Sequence, residues 1–263
     1  MLLPQKLKGF KKKSFGGRNS FGRITVKNRI GKKDSFYRPL LTEVIPIFVR
    51  LDLEILAIFK DDFRSSFLME VVIKDSSLHS LKGLMGYSLA FDGAVKGQSL
   101  SFGPAVQSIN GNRTYLSKIV AGSNVYQIED SLIQPSNIKS KTSFLKSAGS
   151  YGTLFSLDGS GVLVRLFKKR LMLHLPGSFV GTIGKASNSS LKFFNYGCAG
   201  YQRKCGKRPC VRGVAKNAVD HPHGGGEGKS SGGRKAAVTP WGRLTKGRKT
   251  RNINKCVKII TKI

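Results

Sequence analysis

The chain has 263 residues, 40% of them hydrophobic, and carries 46 Lys or Arg against 14 Asp or Glu, for a formal net charge of +32. This composition supports modest cores and points to a dense polyanion as partner. No apolar run reaches the ~20 clean residues of a membrane helix, and no secretory signal leads the sequence. Four cysteines outside a secretory context argue for a reducing compartment and against a disulfide framework.

The charge is uneven. Residues 1–34 hold 11 basic and 1 acidic side chain, residues 35–197 hold 18 and 11, and residues 198–263 hold 17 and 2. An ordinary globular middle therefore lies between two polycationic ends. In the first of these, Gly16-Gly17-Arg18-Asn19 and Gly22-Arg23 alternate with Phe10, Phe15 and Phe21. Glycines permit close approach to a phosphate backbone, Arg forks bind phosphate, and aromatic rings stack on unpaired bases. Arg18, Asn19 and Arg23 are thus candidate RNA contacts; a solvated tail is the alternative.

From Tyr37 to Phe102, the runs Val44–Val49, Leu53–Phe59, Phe67–Ile73 and Leu84–Phe91 read as strands, with Asp92-Gly93 as a hairpin signal. Leu53–Phe59 lacks clean alternation, and a helical turn stays open there. A second β region, Val106 to Tyr196, offers Tyr115–Val120, Val125–Ile128, Thr153–Leu157, Val162–Phe167 and Leu171–Leu175. Tight turns at Ala121–Asn124 and Asp158–Gly161 separate strands, and Gly181 and Gly184 mark bends. A small five-stranded barrel or sandwich is the economical reading of the first region, and turns every 8–12 residues in the second predict a small barrel and no βαβ units.

Beyond Tyr196 the composition changes to glycine and cations. Val211–Arg251 has nine glycines between Gly213 and Gly247 and only Asp220 and Glu227 as acids. So little apolar surface predicts ordering only on an outside partner.

The residues here are specific. Arg212-Gly213-Val214-Ala215, Asn217, VDHPHGGGEG from Val219 to Gly228, VTPWG from Val238 to Gly242 and TKGRKTR from Thr245 to Arg251 closely resemble the large-subunit ribosomal protein two family in its bacterial and organellar form. GGRNSFGRIT (Gly16 to Thr25), KSAGSY (Lys146 to Tyr151) and Arg208-Pro209 are further echoes. The resemblance implies a mainly β protein with four parts: a basic N-terminal extension (1–35), an oligonucleotide-binding-type barrel (36–103), an SH3-like barrel (104–196) and a glycine-rich basic C-terminal extension (197–263). It implies a non-enzymatic, structural part of the large ribosomal subunit. The expected partners are large-subunit rRNA, neighbouring ribosomal proteins and the small subunit across the intersubunit bridge. The HPH loop would point toward the peptidyl transferase region. No cofactor is expected beyond magnesium ions that accompany rRNA. A stand-alone RNA- or single-stranded-DNA-binding β-barrel protein is the alternative.

Carried onto this sequence, the RNA-facing residues of the C-terminal extension are Arg203, Arg208, Arg212, Asn217, His221, His223, Gly224, Gly225, Gly226, Lys229, Arg234, Trp241, Arg243, Lys246, Arg248, Lys249 and Arg251. The chain also departs from the family: residues 38–73 match poorly, Ala218 stands where a proline is usual, and Cys256–Ile263 are less basic. A diverged body around an intact loop predicts a mitochondrial matrix ribosome and, with no evident transit peptide, organelle encoding. Bacterial cytoplasm or plastid is the alternative.

Two chemical readings compete at the loop. Asp220-His221-Pro222-His223 could form a carboxylate-oriented general base, but no nucleophile or oxyanion arrangement accompanies it, and a role in shape and RNA contact is the expectation. Cys198, Cys205 and Cys210, with the two histidines, could supply zinc ligands, but their spacing lacks a CxxC knuckle; reduced thiols without metal are expected. Trp241 either anchors on the second barrel or stacks on a base.

Overall fold

The computed structural model describes residues 6–7, 9–12, 14–30, 35–130, 143–158, 161–166, 171–228, 230–247 and 258–261. The chain packs as two compact units: Met1–Lys13, Asp34–Asn195 and Cys256–Ile263 form one, and Ser14–Lys33 with Tyr196–Lys255 form the other.

The first unit is built of strands. Its elements are β1 (Phe10–Lys12), β2 (Ser35–Tyr37), the single-turn α1 (Leu41–Val44), β3 (Leu51–Lys60), β4 (Phe67–Ser76), β5 (Met85–Leu89), β6 (Ser99–Phe102), β7 (Arg113–Tyr115), β8 (Asn124–Glu129), β9 (Ser143–Phe144), β10 (Gly152–Asp158), β11 (Gly161–Leu166), β12 (Leu171–Leu175) and β13 (Val180–Ile183). The second unit contributes α2 (Ala199–Lys204), and β14 (Lys258–Thr261) returns to the first. One large sheet runs β14-β12-β11-β10-β8-β13-β7-β6-β3-β4-β5, with β9 on β8; β1 and β2 pair separately.

The sheet rolls into two cores. Alternation buries Leu51, Leu53 and Ile55 along β3 and Met69, Val71 and Ile73 along β4, where Leu68 is buried as well. They pack with Leu40, Leu89, Phe91, Leu100 and Phe102. Phe91 bridges Ala186, Asp92 N–H donates to the Lys185 carbonyl (2.8 Å) and Ser187 N–H to the Ala90 carbonyl (3.0 Å). These bonds bring β5-β4-β3-β6-β7-β13 back on itself, so this ring is completed by strands from beyond residue 103. The second core gathers Leu116, Val125, Ile128, Leu154, Val162, Val164, Leu173 and Phe179 from β8, β10–β13 and the adjoining turns. Tyr126 on β8 packs with the first core, and its hydroxyl donates to the Leu89 carbonyl at 3.0 Å. Burial pushes that phenol far above its ordinary value.

Several segments differ from the reading of the sequence. Val44–Val49 is not a strand: Glu43 accepts the Leu40 N–H and Ile45 N–H bonds Leu41, closing one helical turn, after which Pro46 supplies no donor. Leu53–Phe59, by contrast, lies within β3 as read, and the helical turn left open there is not formed. Tyr115–Val120 breaks into a 3₁₀ turn at Leu116–Lys118, which buries Leu116 and Ile119 three apart. Asp92-Gly93 joins no hairpin, since β5 pairs β4 whereas the following β6 pairs β3. Gly181 lies inside β13, at the register shift between Val180 and Thr182 against β8, and an added Cβ there would stand 2.7 Å from Leu116.

Buried charge is paired. Asp61 accepts from Arg38 (3.0 Å), Arg64 (3.1 Å) and the Phe63 N–H (3.3 Å). Arg113 donates to Glu129 (2.8 Å), Thr182 (3.0 Å) and the Gln127 carbonyl (2.9 Å). Desolvation lowers the Arg113 guanidinium, with Glu129 opposing the shift.

Candidate nucleic-acid interface

The second unit joins the two basic ends that the sequence presents as separate. Ile30 N–H donates to the Gly206 carbonyl (3.0 Å), Arg208 N–H to the Asn28 carbonyl (3.1 Å), and Arg29 bridges Lys207. A cleft here is lined by Lys27, Arg29, Arg203, Lys207 and Arg208 together with Asn28, Gln202 and Cys210, with no carboxylate among them. Arg203 is set in the last turn of α2. Among the described residues of this unit, Val238 is the sole buried hydrophobic side chain, so backbone bonds rather than a core define its shape.

The N-terminal part forms a tight hairpin. Arg18 bridges Ile24, Asn19 N–H donates to the Arg23 carbonyl (2.9 Å), and the Asn19 side-chain oxygen accepts from Phe21 and Arg23 N–H. Gly22 adopts φ +73° at its tip. A second hairpin joins Val238 to Leu244. Trp241 on it is 62% exposed, with the Lys27 ammonium 5.2 Å from its ring centroid.

Between the hairpins stands the HPH loop. Asn217 O accepts from Asp220 and His221 N–H, Gly224 N–H returns to the His221 carbonyl (2.8 Å), and Gly225 N–H to Lys216 (3.0 Å). A Cβ on Gly224 would lie 2.3 Å from the Asn217 carbonyl oxygen, and one on Gly213 would lie 2.4 Å from the His221 ring. Glycine is required at both by space alone. The two imidazoles stack, centroids 5.2 Å apart and 23° between planes.

Their nitrogens are committed. His223 Nε2 accepts the Val238 N–H (2.9 Å), so Nδ1 carries the proton and donates to the Gly232 carbonyl at 2.7 Å. His221 Nδ1 accepts the His223 N–H (3.0 Å). Lost hydration, then electrostatic interaction with the His223 ring and with the ammonium groups of Lys27 and Lys216, hold His221 below the ordinary imidazole value. His221 therefore favours the neutral form, and His223, with both ring nitrogens bonded within the chain, is shaped as a brace rather than a proton shuttle.

The structure brings Arg18, Asn19, Arg23, Arg203, Arg208, Arg212, Asn217, His221, His223, Gly224, Gly225, Gly226, Arg234, Trp241, Arg243 and Lys246 into this one unit. The arginines are all exposed. Lys229, Arg248, Lys249 and Arg251 lie outside the described residues. Lys27, Asn28 and Arg29 were not among the sequence candidates; their signal was the basic run directly after the Gly16–Thr25 motif. No three His, Cys, Asp or Glu converge as for a metal among the described residues, and Cys198, Cys205 and Cys210 are free thiols.

Residues 109–242 match the family model for Ribosomal Proteins L2, C-terminal domain. The chain is 41% identical over 253 residues to the large ribosomal subunit protein uL2 of Wolbachia pipientis subsp. Culex pipiens, covering 96% of this chain and 86% of that protein. It belongs to the uL2 family. Similar uL2 proteins come from Neorickettsia sennetsu (38% identical, 96% and 86% covered) and Ehrlichia chaffeensis (39%, 92% and 82%). Membership in uL2 makes the chain a structural constituent of the large ribosomal subunit, acting in translation, and the mainly β architecture agrees with the uL2 barrel fold. No helix among the described residues is long and apolar enough to cross a membrane.

Proposed function

We propose that the second unit is the rRNA-gripping part of the protein, and that the β unit carries it. The observation behind this is its charge: residues 14–33 and 196–255 hold 21 Lys or Arg against Asp220 and Glu227. A surface of that composition binds a phosphate backbone, and Lys27, Arg29, Arg203, Lys207 and Arg208 form one cleft in it whose charged side chains are all basic. The division into an oligonucleotide-binding-type module at 36–103 and an SH3-like module at 104–196 belongs to this proposal, as do contacts to neighbouring ribosomal proteins and to the small subunit.

The HPH loop acts by shape, near the peptidyl transferase region, and does not transfer protons in the reaction there. Support comes from His223, whose two ring nitrogens are both occupied within the chain. A mitochondrial matrix ribosome is the proposed location, supported by a diverged body around an intact loop and by bacterial relatives. The test is sedimentation of organelle-enriched and cytosolic fractions through a high-salt gradient. A ribosomal constituent stays with the large subunit of the mitochondrial fraction; a protein stripped by salt would be a stand-alone RNA binder, and recovery in the cytosolic fraction alone would overturn the location.

A further inference from the structure

The two hairpins of the second unit are the same structure at a constant offset of 220 residues. Arg18 bridges Ile24 as Val238 bridges Leu244. The Asn19 N–H donates to Arg23 O (2.9 Å) and Gly22 N–H to Asn19 O (3.0 Å); Thr239 N–H donates to Arg243 O (2.7 Å) and Gly242 N–H to Thr239 O (2.9 Å). The Asn19 side-chain oxygen accepts Arg23 N–H at 2.9 Å, and the Thr239 hydroxyl accepts Arg243 N–H at 3.2 Å. Thr25 and Thr245 each donate backbone N–H and hydroxyl to one carbonyl, Gly17 and Ala237 respectively. Gly22 and Gly242 close the turns at φ +73° and +78°, the left-handed position of a three-residue hairpin loop.

What each hairpin displays is also the same. An aromatic ring precedes the left-handed glycine and an exposed arginine follows it: Phe21 and Arg23, Trp241 and Arg243. Phe21 is 85% exposed and Trp241 62%, in a unit with so little apolar packing that neither ring is spent on a core. An exposed ring beside a guanidinium is a stacking face beside a phosphate fork, which an unpaired nucleotide satisfies and a paired base does not.

We infer that Phe21–Arg23 and Trp241–Arg243 are two equivalent clips, each holding one unpaired rRNA nucleotide by base stacking and phosphate contact. This rests on the RNA-binding role proposed above and adds to it the kind of RNA recognised, single-stranded and at two points. Asn19 and Thr239 are positioning residues that lock the tips.

Trp241 is the only tryptophan, so its fluorescence reads the second clip directly. The full chain is titrated with an oligouridylate about twelve nucleotides long and with an RNA duplex of that length. The expected result is quenching by the single strand and none by the duplex. Phe21→Leu and Trp241→Leu should each weaken single-strand binding about tenfold and leave duplex binding unchanged. In F21W/W241F, the tryptophan moved to the first hairpin should be quenched as Trp241 is. Single-strand binding with unquenched tryptophan and no loss in either leucine variant overturns the clips while sparing the RNA-binding role. A loss confined to one hairpin overturns their equivalence, and absence of binding to either RNA overturns both readings.

Discussion

His223 and Val238 are joined by a bond from the Val238 N–H to the His223 Nε2 at 2.9 Å, and it fixes which tautomer the imidazole adopts. With the proton on Nδ1 the ring also ties Gly232, so one side chain holds the HPH loop to the start of the second hairpin. His223→Ala should remove two partly buried hydrogen bonds, about 1 kcal/mol each. The Val238 amide should then exchange faster with solvent. Nitrogen NMR should find the Nδ1-protonated form in the native protein; the opposite tautomer would refute the bracing role.

Acid should loosen the same loop. His221 binds its proton less readily in the folded chain than in the unfolded chain, whose value is near 6.5. As pH falls, the unfolded state takes the proton first. The contribution of neutral His221 is therefore complete above about 6.5 and is lost as pH drops through the lower folded value. Protection of the His223 amide, taken against its intrinsic exchange rate at each pH, should fall on going from about pH 7.5 to about 5.5, and His221→Gln should flatten that fall.

Glycine substitutions should separate strain from collision. At Gly242 a Cβ meets nothing within 4 Å, so Gly242→Ala meets only the left-handed backbone, at roughly 1 kcal/mol. Gly242→Asn should recover part of it. At Gly224 the Cβ runs into the carbonyl oxygens of Asn217 and Lys216, and no side-chain motion relieves it. Gly224→Ala should therefore disorder the loop more than Gly242→Ala disorders its hairpin, as read from amide dispersion in NMR spectra.

Within the β unit, Asp61 should outweigh any surface pair. Its side chain is fully buried and faces Arg38 and Arg64, each partly exposed. Asp61→Ala should cost about 3 kcal/mol in urea unfolding, because two guanidinium groups lose their counter-charge. Glu54→Gln, breaking the exposed pair with Lys74, should change stability by less than about 1 kcal/mol. A reversed ranking would mean that the Asp61 network is not holding the first ring.

Salt should govern RNA affinity. If about six phosphates are neutralised, affinity falls on the order of a thousandfold between about 50 and 200 mM salt. Deleting residues 229–251 should flatten that slope. An unchanged slope would place the electrostatic contact outside residues 229–251, on the cleft of Lys27, Arg29, Arg203, Lys207 and Arg208 or on the β unit.

Much of this was legible from the residues. The apolar, β-branched run Phe67–Ile73 marks β4, alternation along Leu171–Leu175 marks β12, and Asp158–Gly161 lies where β10 turns into β11. Segments whose conformation is set from far away were harder to read. The Ser99–Phe102 strand alternates plainly but is four residues long between glycines, and β13 carries a glycine because Leu116 crowds it. The Arg29–Lys207 pairing links residues 178 apart, which no spacing along the chain can reveal. The candidate RNA residues were visible as motifs; their assembly into one body, and the bracing use of His223, were not.

The pairing of β14 with β12, His174 opposite Lys258 through Leu171 opposite Thr261, has a consequence in time. Residues 196–255 leave the β unit and return to it, as residues 14–33 do between the paired strands β1 and β2. Each basic stretch is thus an excursion fastened at both ends, which lowers the loop entropy of ordering it. On a nascent chain the N-terminal excursion can close once β2 has been made, while the C-terminal one must wait for β14. The RNA-facing unit is therefore fastened at both excursions only after β1–β13 have been made.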